Sequence, residues 1–440
     1  MPRIAFFGFV LVVSAIAGPT DQAFAAETGR AWRARSVEID ERILEITSGV
    51  SVDSLAESVR ALAGFGTRNT FAEPASADKG IGGARKWILA KLEAIREASG
   101  GRLQVSEDLF QTSLPDEVAK KLELAQVEAA NVVAILPGTE PASRDRLVLV
   151  GAHYDSRNEE RYDVKNPAPG ANDNASGVAL VLELARILSP HGFEATLVFV
   201  AFSGKEQGLW GSTQFARNAR KDNLGIEAVL INAAVGNVRG GGGRVDGTRV
   251  RLFSPGPPDS ASRILATYVK ERGECYVPGF GVSLVQRADR INRSGDQRPF
   301  QERGFAAVGL VEASENFERQ DSALDKPEFV DPVYLAKVAS VNAASLATLA
   351  SAPPSPIKVA RNWDASHYDT RIVWEREGEG VDHAGYKVLV RETSSPYWQW
   401  ELDAGQESEI TVKGITLDDH AMAVVAVDSS GNESLPVPVR

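Results

Sequence analysis

The segment LVLVGAHYDS, residues 147–156, joins an apolar run to a group of polar residues. Four consecutive branched side chains are typical of a strand that is buried on both faces, as in a parallel sheet. His153 and Asp155 follow at the carboxyl end of this predicted strand, where α/β folds form their ligand sites. Asp155 could hydrogen-bond to the imidazole of His153 and orient it. The segment therefore predicts an α/β fold with a polar site at one edge of the sheet.

Strand-like and helix-like segments alternate through most of the chain. A fully apolar run, ATLVFVAF, occupies residues 195–202 and predicts a second buried strand. Helices that connect parallel strands cover both faces of a sheet, so this order predicts a mixed, mostly parallel twisted sheet flanked by helices. The other predicted strands lie at residues 131–136, 147–150, 228–231 and 306–311, and the predicted helices at residues 54–64, 80–98, 180–188 and 332–350.

The sequence pattern changes after residue 351. Residues 352–356, APPSP, predict a stiff linker that is accessible to solvent. The predicted units are therefore a domain over residues 26–351 and a small all-β sandwich over residues 357–440, which we expect to fold alone. Short strands separated by turn residues, a spacing typical of a sandwich, are predicted at residues 370–374, 385–391, 398–402, 409–412 and 421–428.

The amino terminus shows the features of a secretory signal peptide in their usual order. Arg3 precedes an apolar run over residues 4–17, which is too short to span a bilayer comfortably, and Ala23 and Ala25 offer small residues for cleavage. A buried N-terminal helix is the alternative. We predict removal of residues 1–25 and export to the periplasm or the extracellular space. No later segment is expected to be long and apolar enough to cross a membrane.

Charge and cysteine content restrict the possible partners. The net charge of −11 argues against a nucleic-acid partner, because phosphate binding requires a basic surface. The single cysteine, Cys275, can form neither an intramolecular disulfide nor a cysteine-based zinc site. Any metal ion must therefore be held by histidine, aspartate and glutamate side chains.

Two further polar segments adjoin predicted elements. GANDNASG, residues 170–177, precedes a helix, and GKEQGLWGS, residues 204–212, follows the second apolar strand. Simpler explanations exist for two of the three polar segments, because Asn172, Asp173 and Ser176 could cap the following helix, and an isolated histidine such as His153 is usually a hydrogen-bonded loop residue. The ends of neighbouring strands nevertheless meet at one edge of a sheet, so we expect His153, Asp173 and Glu206 to converge. Their nitrogen and oxygen atoms form a suitable ligand set for zinc.

The three polar segments together resemble the co-catalytic zinc aminopeptidases of peptidase clan MH, family M28, over about residues 64–349. The resemblance implies a zinc aminopeptidase fold, zinc as the cofactor and a peptide or protein as the substrate or ligand. Residues 426–434, AVDSSGNES, resemble a fibronectin type III domain, which is often appended to such peptidases. The family resemblance also includes Gly66-Thr67-Arg68, GIGGAR at residues 80–85 and Arg303-Gly304-Phe305.

The same resemblance implies two zinc ions. Asp173 matches the aspartate that bridges them, and Asp155 matches the residue that orients the first histidine. In the family, a glutamate beside the ligand matched by Glu206 acts as the general base on metal-bound water. The sequence departs from this pattern with Lys205 at the base position, Ala233 and Asp321 at two ligand positions, and Gln297 where histidine is usual.

The histidine content also indicates an incomplete site. Only His153 is predicted to lie at the metal site, because the other histidines fall in the sandwich or after a helix end at the surface. A two-zinc site of the family type requires two histidines. The five histidines of the chain are His153, His191, His367, His383 and His420.

These departures favour an exported homologue that is catalytically inactive or severely impaired, with retained peptide binding and at most one zinc ion or none. The alternative is an active aminopeptidase with a single metal ion held by His153, Asp173, Glu206 and Asp321. A third hypothesis makes Lys205 a nucleophile or base, and we disfavour it because nearby carboxylates would raise the pKa of the lysine. We predict instead that the Lys205 ammonium neutralises the remaining carboxylates and lies within ~4 Å of at least one of them.

Overall fold

The computed structural model describes residues 32–72, 76, 78–114, 116–363, 368–378 and 380–440. The predicted signal peptide, residues 1–25, lies outside the described residues, and so does His367 of the predicted sandwich. Four predicted helices are present, as α2, α3, α5 and α9. The helices are α1 (Glu41–Ser48), α2 (Val52–Ala63), α3 (Gly80–Ala98), α4 (Asp116–Leu122), α5 (Gly177–Leu188), α6 (Trp210–Lys221), α7 (Ala261–Tyr276), α8 (Gln297–Gln301) and α9 (Pro332–Ser351).

The strands fall into one large sheet and two small ones. The large sheet contains β2 to β9, and the two small sheets contain β1 and β10 to β16. In chain order the strands are β1 (Arg33–Ala34), β2 (Gln104–Ser113), β3 (Gln126–Leu136), β4 (Arg146–His153), β5 (Thr196–Phe202), β6 (Gly225–Asn232), β7 (Arg249–Phe253), β8 (Gly281–Val285), β9 (Ala307–Glu312), β10 (Ile357–Asn362), β11 (Thr370–Glu375), β12 (Gly385–Glu392), β13 (Trp400–Gly405), β14 (Glu409–Val412), β15 (His420–Val427) and β16 (Val437–Pro438).

The large sheet is mixed, with a parallel centre. Its strand order is β2-β3-β5-β4-β6-β9-β7-β8. The central strands β5, β4, β6 and β9 run parallel to one another, whereas β2, β3 and β7 introduce antiparallel pairs. This arrangement confirms the predicted α/β fold and directs the carboxyl ends of β4, β5 and β6 to the same edge of the sheet.

Helices cover both faces of the sheet, as the continuous apolar strands predict. Val148 and Val150 of β4 belong to a core shared with the helices α2, α3, α5 and α9. The intervening Leu149 belongs to a second core that includes residues of α6 and α8. Successive side chains of a strand point to opposite faces, so consecutive residues that are buried on the two faces are mostly apolar.

The C-terminal region is a β-sandwich, as predicted. One sheet has the order β1-β13-β12-β15-β16 and the other has the order β10-β11-β14. Apolar side chains of both sheets, including Ile372 and Val388, share one core. The edge strand β1 comes from the amino-terminal end of the described chain and pairs with β13, so the sandwich is not built from C-terminal residues alone.

The proline-rich linker is packed against the protein. Pro353, Pro354 and Pro356 are buried, and the hydroxyl of Ser355 donates a hydrogen bond to the carbonyl oxygen of Leu435 at 3.0 Å. The prediction of an accessible linker is therefore wrong. Proline fixes its own backbone torsion but does not determine what packs against its ring.

Among the described helices, α9 is long and apolar enough to cross a membrane by length and composition alone, with a mean hydropathy of 1.3. The expectation that no segment after the signal peptide would meet that criterion is therefore wrong. In the structure, 83% of the apolar window is buried inside the protein. Packing in the core explains its composition, because a helix that is apolar on all sides is usually surrounded by protein or lipid.

Candidate metal centre

His153, at the end of β4, is fully buried. Its Nε2 atom lies 3.2 Å from Asp173 Oδ1, and its Nδ1 atom lies 3.1 Å from the backbone oxygen of Asp155. The Asp155 carboxylate is farther from Nδ1, at 3.5 Å. Asp155 therefore lies beside the imidazole as predicted, but its backbone makes the shorter contact.

The turn Ala171–Ser176 positions Asp173. The backbone nitrogens of Asn172 and Asp173 donate hydrogen bonds to the two carboxylate oxygens of Asp325, at 2.9 and 2.8 Å. Burial raises the pKa of Asp325 to about 6. Asp325 was not predicted to be part of the site, because no apolar strand or motif precedes it in the sequence.

The loop after β5 positions Glu206 through its backbone. The Asp155 carboxylate accepts hydrogen bonds from the backbone nitrogens of Lys205, at 3.2 Å, and Glu206, at 2.9 Å. Gly204 precedes them with a φ of +71°, in the left-handed region that favours glycine. Asp155 thus links the β4 and β5 loops and orients the side chains that follow them.

Three buried side chains converge as predicted. Ligand atoms of His153, Asp173 and Glu206 all lie within 4.8 Å of one another. The buried His153 Nε2 and Asp173 Oδ1 atoms face each other without forming a hydrogen bond. Burial and the nearby Lys205 lower the pKa of His153, but the adjacent carboxylates of Asp155 and Asp173 outweigh them and raise it to about 10. These three side chains could therefore hold a metal ion.

Lys205 lies among these ligand atoms. Its Nζ atom is 2.7 Å from Glu206 Oε1 and 3.8 Å from Asp173 Oδ1, which confirms the predicted distance. The side chain is only 11% exposed. Burial lowers the pKa of Lys205, but the carboxylates of Asp173 and Glu206 outweigh burial and raise it above the ordinary lysine value. The group is therefore an ammonium ion at neutral pH and cannot accept a proton.

Asp321 is outside the cluster of three ligands. Its Oδ2 atom accepts a hydrogen bond from Arg157 Nη2 at 2.5 Å, and Arg157 Nε donates to Glu206 Oε2 at 3.0 Å. Burial and the carboxylates of Glu206 and Asp173 raise the pKa of Asp321 to about 6. Arg157 therefore bridges two of the predicted ligands. Its only signal in the sequence is its position directly after GAHYDS.

The other two departures from the family pattern leave no additional ligand. Ala233 is buried just after β6, and the next residue, Ala234, donates its backbone N–H to Asn174 Oδ1 at 3.0 Å. The methyl side chain of Ala233 carries no atom that could bind a metal ion. Gln297 Nε2 donates to the carbonyl oxygen of Ala288 and to Asp289 Oδ2, at 3.0 and 3.1 Å. Within the described part of the chain, the one cluster of potential metal ligands is that of His153, Asp173 and Glu206.

Sequence comparison places the chain in a family. A family model described as Peptidase family M28 matches residues 131–346. The chain is 32% identical, over 431 residues, to a probable zinc metalloprotease of Pyrenophora tritici-repentis, and the alignment covers 91% of this chain and 98% of that relative. The chain therefore belongs to peptidase family M28, a family that implies zinc.

Solved structures share the fold at lower sequence identity. The LapA aminopeptidase of Legionella pneumophila is 17% identical with a TM-score of 0.57, covering 72% of this chain and 78% of its own. The glutaminyl cyclase of Porphyromonas gingivalis is 19% identical with a TM-score of 0.52, and the match covers 68% of this chain and 98% of the cyclase chain. An aminopeptidase and a cyclase share this fold, so the reaction has to be judged from the site.

Proposed function

We propose that this chain is a non-catalytic or severely impaired member of its peptidase family and that it binds a peptide in the cleft lined by Arg157, Lys205, Glu206 and Asp321. The observation that carries this proposal is the ion pair between Lys205 Nζ and Glu206 Oε1, at 2.7 Å. A positive charge there opposes the approach of a second metal ion. Lys205 also occupies the position of the family's general base, which typically contributes ~10²–10⁴-fold to the rate.

Positive side chains already neutralise much of the site. Lys205 contacts Glu206 and Asp173, and Arg157 contacts Glu206 and Asp321. Carboxylates this close to one another would otherwise repel, and some would have to bind protons. The pattern is that expected of a site that is stable without two dications.

A second candidate function is an aminopeptidase that works with a single zinc ion. The observation in its favour is the close approach of ligand atoms from His153, Asp173 and Glu206. Relatives named probable zinc metalloproteases agree with it. This second function requires that the Lys205 ammonium moves away from Glu206 Oε1. It also requires that a group other than Lys205 acts as the general base on the attacking water.

Hydrolysis of aminoacyl anilides, measured together with zinc content, distinguishes the two functions. We expect the unmodified chain to hydrolyse at the background rate with added zinc. Lys205→Glu alone should stay near background, because the ligand set remains incomplete. Lys205→Glu combined with Ala233→Asp and Asp321→His should gain zinc binding and weak hydrolysis. Substantial zinc-dependent hydrolysis by the unmodified chain would reject the first function and support the second.

We also infer that the C-terminal sandwich is of the fibronectin type III kind. Its three-stranded sheet β10-β11-β14 faces a sheet that contains β13-β12-β15-β16, and its sequence carries the AVDSSGNES motif noted above. This sandwich architecture is common in exported and cell-surface domains. We propose export with cleavage before Ala26, and N-terminal sequencing of protein recovered outside the cytoplasm tests it. Retention of Met1 would reject it.

A further inference from the structure

A cleft of about 630 Å³ opens over the candidate metal centre. Its walls carry six basic side chains and two acidic ones, although the whole chain has a net charge of −11. Both acidic side chains, Glu206 and Asp321, are already paired with Lys205 or Arg157. The charge that the cleft offers to a ligand is therefore positive. The basic residues are Arg157, Arg161, Lys205, Arg290, Arg293 and Arg298.

Two of these arginines have no acidic partner within the part of the chain that the structure describes. Arg161 Nε donates to the backbone oxygen of Glu206 at 2.7 Å, and Arg293 Nη1 donates to Gln320 Oε1 at 2.5 Å. The guanidinium of Arg293 also lies 5.0 Å from the ring centre of Phe317. Among the described residues, neither arginine forms an ion pair. Neutral contacts thus hold both side chains, while their charges and remaining N–H donors stay available.

The two arginines lie on different loops. Arg161 belongs to the loop after β4, whereas Arg293 belongs to the loop between β8 and α8. Both loops line the same cleft. A guanidinium has a planar set of donors that matches the two oxygens of a carboxylate. An extended ligand with carboxylates along its length could therefore contact both loops at once.

We propose that this cleft recognises an acidic peptide, whose glutamate or aspartate side chains pair with Arg161 and Arg293. The inference rests on the proposed function, because it assumes that the cleft binds a peptide. A peptide is favoured over a nucleic acid because the negative charge of the whole chain repels a long polyanion outside the cleft. A short acidic segment enters the positive cleft without that cost.

The test compares short fluorescein-labelled peptides by fluorescence anisotropy with the full chain. A glutamate-rich peptide should bind about tenfold more tightly than the same peptide with glutamine in place of glutamate, the effect of one charge-assisted hydrogen bond. Equal affinity for the two peptides would overturn the proposal. This comparison requires no variant, so it stands even where a variant misfolds.

Matched double variants locate the binding site. Arg161→Gln with Arg293→Gln should weaken binding of the glutamate peptide about tenfold and leave the glutamine peptide unchanged. Arg96→Gln with Arg220→Gln removes the same charge from exposed positions outside the cleft and should change neither affinity. Equal losses of affinity for the glutamate peptide in both double variants would overturn the assignment to the cleft.

A competition experiment tests the choice of a peptide over a nucleic acid. If a single-stranded oligonucleotide displaces the labelled peptide at a lower concentration than the unlabelled peptide does, the choice of a peptide is overturned.

Hydrolysis of the same peptides separates this inference from the proposed function. Cleavage with a preference for glutamate would reject the loss of catalysis and support the acidic specificity. Absence of both cleavage and selective binding would overturn the acidic specificity and leave the loss of catalysis in place.

Discussion

Lys205 and Arg157 bring two positive charges to carboxylates at positions that the family pattern assigns to metal ligands. Lys205 Nζ contacts Glu206 and Asp173, and Arg157 joins Glu206 to Asp321. A buried charge is costly unless it is paired. In the proposed function, these two side chains supply positive charge that metal ions would otherwise provide.

Replacement of Lys205 by alanine should destabilise the metal-free protein by about 3 kcal/mol, because it leaves buried carboxylates without a counter-charge. Lys205→Glu should cost more, since it adds a further negative charge. Urea unfolding in the presence of a chelator measures both effects. Lys91→Ala is the matched control, because its ion pair with Glu57 is exposed and should contribute less than about 1 kcal/mol. Equal effects of Lys205→Ala and Lys91→Ala would contradict the role given to Lys205.

The sequence predicted some site residues and missed others for a physical reason. His153 and Glu206 each follow an apolar strand, and the ends of parallel strands must meet at one edge of the sheet. Arg157 and Asp321 are 164 positions apart, and no local pattern indicates that their side chains touch. Such contacts depend on loop conformations that only the folded chain defines.

At the scale of elements, buried Arg68 connects the segments around Asp173. Its guanidinium donates hydrogen bonds to the backbone oxygens of Leu62 at the end of α2, Tyr154 after β4, and Pro169 and Gly170 before the Asp173 turn. Burial lowers the pKa of Arg68 to about 10. One side chain thus holds a helix end and two loops together.

Arg68→Lys should therefore destabilise the protein by about 3 kcal/mol. An ammonium group cannot reproduce the geometry of a guanidinium, and each buried carbonyl left unpaired costs about 1–3 kcal/mol. Thermal or urea unfolding measures the loss. Arg60→Lys, an exposed change on the same helix α2, should have almost no effect. A stability loss below about 1 kcal/mol for Arg68→Lys would contradict this role.

Helices and strands whose apolar residues recur in a regular pattern could be predicted from the sequence. Strands at the edges of the sheet could not. The helix predicted at residues 80–98 has the bounds of α3, because its apolar face packs on the core. Strand β2, QVSEDLFQTS, was missed because it lies at the sheet edge and exposes most of its side chains. An edge strand needs no alternating apolar residues, so the pattern that identifies buried strands is absent.

At the scale of the whole molecule, a buried charge network ties the sandwich to the α/β domain. Glu433 accepts hydrogen bonds from Arg35, which follows β1, at 2.5 Å, from Arg272 of α7 at 2.6 Å and from Lys387 of β12 at 3.0 Å. Glu271 and Glu401 also pair with Arg35. Independent folding of residues 357–440 remains a prediction, but an isolated sandwich would leave Glu433 without two of these partners.

Glu433→Gln should lower the free energy of unfolding by about 3 kcal/mol near neutral pH, because Arg35 and Arg272 remain buried with less counter-charge. Burial raises the pKa of Glu433, but Arg35 and Arg272 outweigh burial and hold it well below its ordinary value of 4.5. A lowered folded-state pKa gives stability that is complete above the unfolded-state pKa and is lost as the pH falls through the folded-state value. The difference in unfolding free energy between the unmodified protein and Glu433→Gln should therefore become smaller in acid. Urea unfolding over a pH series measures it, and a constant gap would contradict the network.

The central claim is that the Lys205 ammonium replaces metal charge at a site that cannot hold two zinc ions. Anomalous scattering at the zinc absorption edge, from crystals grown with zinc, tests this claim most directly. We predict at most one zinc peak, bounded by His153, Asp173 and Glu206, and none within bonding distance of Lys205 Nζ. Two fully occupied zinc peaks, with the Lys205 amine turned into solvent, would contradict the claim.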